Sequence, residues 1–260
     1  MKILLISGHG DGDPGASSKF GVEATETVVM VQKIKETLEN YAQVDLYPTN
    51  RNAFKDLGNG CCQVNFGNYD YVLEVHFNSC VNDLAGNGKT TGTEIYVTTA
   101  ERTVGVETKI VEKIAVLGLK NRGVKRENWR VIARAKASGT SSALLEVCFI
   151  DDKDDMQIYT VKKDKIAAAI ATAIAEQFGL KKNGNNGNQG NKGITVGSTV
   201  TIKDGAVYGG LSSARGKAVP TTQRGGKRHT VDKIQVNNGV QEARLKEIKS
   251  WVAVSSLQAV

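Results

Sequence analysis

Met1-Lys-Ile-Leu-Leu-Ile-Ser-Gly-His-Gly-Asp-Gly-Asp-Pro-Gly15 opens the chain. Ile3 to Ile6 is an unbroken apolar run, too short for a helix and without a polar face, and it reads as a buried strand. Ser7 to Gly15 is rich in glycine and holds Pro14, the composition of a turn. An amphipathic helix follows. Val28, Val31, Ile34 and Leu38 recur at helical spacing, with Lys33, Lys35, Glu36 and Glu39 on the other side.

The same alternation continues outward. Val44-Asp-Leu-Tyr47, Tyr71-Val-Leu-Glu-Val-His-Phe77, Thr93-Glu-Ile-Tyr-Val97 and Ala143-Leu-Leu-Glu-Val-Cys-Phe-Ile150 read as strands. Val106, Ile110, Ile114 and Leu117 mark a second helix. Ile166, Ile170, Ile174 and Phe178 mark a closing helix that belongs to the core and not to a membrane. Strands alternating with helices predict an α/β domain over residues 1–180, a mostly parallel twisted sheet flanked by helices.

Residues 181–193 contain no apolar side chain, so 181–194 is expected to be a Gly/Asn-rich flexible linker. Beyond it, Thr199–Ile202, Lys217–Val219, His229–Val236, Ala243–Ile248 and Trp251–Val254 read as short strands. They predict a small all-β barrel over residues 195–260.

Charge divides the chain at the same place. From Lys181 onward there are 13 basic and 4 acidic residues, whereas residues 1–180 carry 21 and 23. A basic module favours polyanionic partners: nucleic acid, anionic lipid or wall polymers. Cys61, Cys62, Cys80 and Cys148 lack metal or redox spacing and read as free thiols. Four apolar residues after Lys2 are too few for a signal-peptide core, so synthesis in the cytoplasm without a leader is expected.

His9 follows the first strand and His76 lies near the end of another. Open α/β sheets place reactive groups at such carboxyl ends. Glu23 opens the first helix; on position alone it reads as an acidic residue favoured by the helix dipole. Two imidazoles and a carboxylate would also make a three-ligand metal site with a vacancy for water. Glu146 lies inside an apolar strand, where a carboxylate is unfavourable unless paired or positioned for proton transfer. Glu74, two residues before His76, shares its face and reads as a supporting residue. By the same spacing Cys148 shares the face of Glu146, but an apolar strand makes it inert packing. His229, without partner ligands, reads as a surface histidine.

Four stretches resemble the zinc amidases of the amidase_3 family, found in bacterial autolysins and phage endolysins. They are Ser7-Gly-His-Gly-Asp-Gly-Asp-Pro-Gly-Ala16 with Glu23, Tyr69 to Ser79 with Gly92-Thr-Glu-Ile-Tyr96, Arg122-Gly-Val-Lys125 with Trp129-Arg-Val-Ile132, and Ala143 to Ile150. They keep the family's order across residues 1–180. The resemblance implies one zinc ion on His9, Glu23 and His76, with Glu146 as the catalytic residue. It implies hydrolysis of the amide between N-acetylmuramic acid and L-alanine in peptidoglycan by zinc-activated water. Ser141-Ser142 and Asp151-Asp152 depart from the family's usual Pro and Asn, which bears on loop shape and stem-peptide fit. The tail resembles bacterial SH3-type (SH3b) wall-binding domains, with Tyr208 and Trp251 as candidate ligand-stacking residues; Trp251 reads equally as a core residue.

The expected protein is thus a phage-type endolysin, released to the wall through a holin-type pore, with peptidoglycan and anionic Gram-positive wall polymers as partners. Neither nucleic acid nor membrane insertion is expected. Two other readings stay open: a zinc peptidase cutting within stem peptides, and a non-enzymatic protein binding wall or nucleic acid.

Overall fold

Ile3 and Leu5 face one side of the first strand, Leu4 and Ile6 the other, and all four are fully buried. A sheet covered on both faces follows, as parallel sheets require. The computed structural model describes residues 1–182, 194–237 and 240–260, and the chain divides into two compact units, Met1–Gly184 and Asn185–Val260. Most of the linker expected at 181–194 lies outside the described residues.

The first unit runs β1 (Lys2–Ser7), a minor pair β2 (Ser17–Ser18) and β3 (Gly21–Val22), then α1 (Glu23–Leu38), β4 (Gln43–Leu46) and α2 (Ala53–Gly58). It continues through β5 (Tyr71–Asn78), β6 (Thr93–Val97), α3 (Gly105–Ala115), β7 (Asn121–Arg126), α4 (Arg130–Ala137), β8 (Ser141–Phe149) and α5 (Lys153–Gln177). The six-stranded sheet has the order β4-β1-β5-β8-β6-β7. Every pairing is parallel except β6 with β8. The sheet is therefore mostly parallel and flanked by helices.

Helices α1, α3 and α5 cover one face through Met30, Ile34, Ile110, Ile166 and Ile170, packed on Leu73, Val75 and Leu145. The other face, with Leu4, Ile6 and Val72, is covered only at Tyr47, Ala53, Phe66, Val131 and Ala135, from α2, α4 and adjoining turns. The lighter cover leaves room for a cavity there. The periodic stripe foretold α1, α3 and the second half of α5. The last begins earlier, at Lys153, because the Asp152 carboxylate accepts the Asp154 and Asp155 N–H groups at 2.8 and 3.1 Å. Helices α2 and α4, six and eight residues long, are too short to show a stripe.

The spacing that would set Cys148 beside Glu146 fails. His76 pairs with Glu146 but Asn78 pairs with Phe149, so β8 holds an extra residue, a bulge. Cys148 turns towards α5 instead, fully buried, its Sγ 3.8 Å from Sδ of Met156. Burial pushes its thiol pKa well above the ordinary value. All four cysteines are free.

The second unit contains β9 (Thr199–Ile202), β10 (Arg228–Asn237), β11 (Val240–Leu245), β12 (Ser250–Ala253) and β13 (Leu257–Ala259). They form an antiparallel sheet in the order β12-β11-β10-β9-β13 around Val200, Ile202, Val219, Val231, Leu245 and Val252. Lys217–Val219 is not a strand; it supplies one bridge, Ala218 to Val207. The run expected at Ala243–Ile248 ends at Leu245, and β13 lacks a sequence signal. His229 is not at the surface. It is 1% exposed, with Nε2 2.8 Å from the Gln223 carbonyl, because it alternates inward with Val231 along β10. Among the described residues no helix is long and apolar enough to cross a membrane.

Candidate active site

The strands β1, β5 and β8 run parallel, and their C-terminal ends meet at one cavity of about 300 Å³. His9, His76 and Glu146 line it with Asp13, Glu74 and Arg130. Glu23 enters from α1, whose first turn is stitched to the Gly-rich loop. The Glu23 and Ala24 N–H groups donate to the Ala16 and Pro14 carbonyls at 2.9 and 3.0 Å, and the Thr27 hydroxyl donates to Gly8 O at 2.9 Å.

This folding brings His9, Glu23 and His76 together, their ligand atoms all within 4.8 Å of one another. Glu23 Oε2 stands 3.1 Å from His9 Nε2, and Oε1 stands 2.9 Å from His76 Nδ1. The same carboxylate accepts the Ala16 and Phe77 N–H groups at 2.8 and 3.0 Å, which fix both oxygens. Two glycines make the approach feasible. A Cβ on Gly8 would lie 2.3 Å from the His76 ring, and one on Gly15 would lie 2.6 Å from both Glu23 Oε2 and His9.

Each imidazole is backed by a carboxylate. Asp13 Oδ2 lies 3.0 Å from His9 Nδ1 and also accepts from the Asn52 amide at 3.1 Å. Glu74 Oε1 lies 3.2 Å from His76 Nε2. Such partners orient metal-ligating rings. His9 adopts φ 64°, a left-handed backbone uncommon outside glycine, which turns its ring into the cluster.

Burial alone would raise Glu23, yet hydrogen bonds from His76 and His9 hold it well below the usual carboxylate range. Burial would lower His76, but Glu23 and Glu74 carry it well above its ordinary value. His9 is raised by Glu23 despite its burial. Glu146 behaves oppositely. Burial pushes it up to about 7, opposed by the charge of His76 and reinforced by Glu23, Glu94 and Glu74. Its Oε2 is buried without a hydrogen-bond partner among the described residues. Two imidazoles, one ionised carboxylate and an excess of acid around them form a donor set that fits a divalent metal ion.

Tyr208 and Trp251 lie in the second unit, outside this cluster. Both are half-buried; Tyr208 packs on that unit's core, and Gly209 N–H donates to Trp251 O at 2.8 Å.

Residues 3–176 match the family described as N-acetylmuramoyl-L-alanine amidase. The chain belongs to that amidase family. An uncharacterized protein of Clostridium perfringens (strain 13 / Type A) is 30% identical over 185 residues, covering 68% of this chain and 52% of its own. A sporulation-specific N-acetylmuramoyl-L-alanine amidase of Bacillus subtilis (strain 168) is 28% identical over 193 residues, covering 72% of this chain and 71% of its own. The chain spans about half the length of the Clostridium perfringens relatives it matches. The amidase fold itself is shared with the crystal structure of N-acetylmuramoyl-L-alanine amidase from Clostridium difficile 630. That comparison has a TM-score of 0.56 and 19% identity, covering 68% of this chain and 96% of that one.

Sequence reasoning missed Asp13 and Glu94 in this amidase unit. Glu94 is 1% exposed and is held by Arg122, Lys125, Asn78 and Tyr96. The signal was available: Glu94, like Glu146, is an acid inside an apolar strand.

Proposed function

We propose that the chain hydrolyses the amide between N-acetylmuramic acid and L-alanine of peptidoglycan, with one zinc ion held by His9, Glu23 and His76. The observation that carries this reading is the convergence of both oxygens of Glu23 on two imidazoles, beside an unpartnered Glu146 oxygen in the same cavity. A zinc ion in that cluster supplies a Lewis acid for the carbonyl and makes water nucleophilic near neutral pH. Glu146, with a pKa pushed up to about 7, takes a proton from the attacking water and delivers it to the leaving amine of L-alanine. Asp13 and Glu74 hold the imidazoles in place, and Glu23 remains ionised throughout.

The finer reading is an endolysin, made in the host cytoplasm and released to the wall, with the second unit as an SH3b-like wall anchor. Support comes from the excess of 13 basic over 4 acidic residues from Lys181 onward, suited to anionic wall polymers. Tyr208 and Trp251 are the proposed contacts.

Digestion of purified peptidoglycan by the whole chain tests the chemistry. The expected products are new L-alanine amino termini with unchanged glycan reducing ends, lost on chelation and restored by zinc. Release of amino termini from residues within the stem peptide, or activity that survives complete metal removal, would overturn it.

A further inference from the structure

A second hollow, of about 770 Å³, lies between α4 and the segment that runs from Leu57 to Phe66, and Arg130 lines both it and the metal-site cavity. Its walls are apolar at Leu57 and Phe66, and its charged residues are Arg130 and Arg134. These two stand four residues apart on α4, a spacing at which like charges repel. Arg51, Arg122 and Arg244 each hold a carboxylate. Arg130 and Arg134 hold none among the described residues.

Arg130 is nevertheless fixed. Its guanidinium carbon stands 3.8 Å from the centroid of the Phe54 ring, and Nη1 donates to the Phe54 carbonyl at 3.2 Å. Gly58 makes room for it, since a Cβ there would lie 2.9 Å from Nη1. Most of the guanidinium's five N–H groups stay free, in a planar fork that matches a carboxylate.

We propose that this groove receives the stem peptide of the substrate, with Arg130 and Arg134 taking its carboxylates. The inference rests on the amidase reading above. A peptide that starts at the cut amide and bears free carboxylates further along needs cations from the wall of the cavity outward, where Arg130 and then Arg134 stand. Among the described residues Arg130 is the one guanidinium or ammonium group lining the cavity. The hollow is of a size that suits a short peptide. Arg130 acts as a positioning residue that fixes the stem and aligns the amide.

The test is calorimetry with the full chain and two soluble probes, L-Ala-γ-D-Glu-L-Lys-D-Ala and its carboxyl-amidated counterpart. The free acid is expected to bind at least about tenfold tighter, the scale of a charge-assisted hydrogen bond. Arg130→Gln removes most of that preference, Arg134→Gln part of it, and Arg130→Lys keeps some. With muramoyl peptides, Arg130→Gln raises KM and leaves kcat within about twofold. Equal binding of acid and amide, or equal weakening of both by Arg130→Gln, would overturn the proposal. Cleavage without a carboxylate preference sinks the groove and spares the amidase reading. A carboxylate preference without cleavage does the reverse.

Discussion

The two edges of β6 and β8 hold buried acids that end in opposite states. Glu94 and Glu146 are direct register partners on adjacent strands. On the β7 side, Arg122 and Lys125 reach Glu94, and hydrogen bonds from them and from Tyr96 outweigh burial and hold it below the usual range. On the β5 side the charge of His76 opposes the shift without forming an ion pair among the described residues, and burial still pushes Glu146 up to about 7. Burial therefore does not decide a carboxylate's charge; the residues supplied by the next strand do. One position carries a fixed charge and its neighbour a mobile proton.

The largest expected effect comes from removing the proposed proton carrier. Glu146→Gln is expected to lower the rate of amide cleavage by about 10²- to 10⁴-fold, the worth of a general acid–base group. Zinc uptake stays intact, measured by metal content after dialysis. Loss of metal together with activity would make Glu146 a ligand and end the contrast.

Breaking the other half of the pair strikes stability. Arg122→Ala leaves Glu94 with less compensation in a buried site, and about 3 kcal/mol of unfolding free energy is expected to go, read by denaturant titration. The sign with pH follows from the lowered pKa. Glu94's contribution is complete above its ordinary 4.5 and fades as pH falls through the depressed value. Little difference between variant and parent at neutral pH would show that the ion pair is not needed.

Asp13→Ala sharpens the contrast from the metal side. It strips the partner of His9 Nδ1 and is expected to weaken zinc binding about 10- to 100-fold with the fold unchanged. Competition with a chromophoric chelator measures it.

The smallest effect is a control for burial without work. Glu107 is buried beside the Tyr71 hydroxyl, without a cation partner among the described residues, and burial raises its pKa. Glu107→Gln is expected to stabilise the chain by about 1 kcal/mol at neutral pH. A raised carboxyl pKa weakens the parent as pH rises above 4.5, so the variant's advantage disappears below that value. Thermal melts at pH 4 and 7 read the difference, and activity is unaltered.

Most of the sheet was legible because its strands are buried on both faces and read as apolar runs, with β6 matching its expected Thr93–Val97 span. His9 and His76 were legible because each lies at the end of such a run. Glu23 was not legible from its position, because its neighbours in space come from β5 and the loop before β2, distant in sequence. Glu146 announced itself as an acid among apolar residues; Glu94 carried the same signal and went unread, since a cation partner on β7 cannot be seen from spacing. Cys148 was misplaced because period-2 counting has no term for a bulge. His229 was misplaced for the converse reason: its alternation with Val231 was regular, but polarity was allowed to outweigh it.

Gly8 and Gly15 lie where even one carbon would collide with the His76 ring or the Glu23–His9 contact. Like His9 and Asp13 between them, these two positions offer no graded path. Any first step there is a cliff in sequence space, so a library that randomises the loop should lose function as abruptly at these two glycines as at His9 itself.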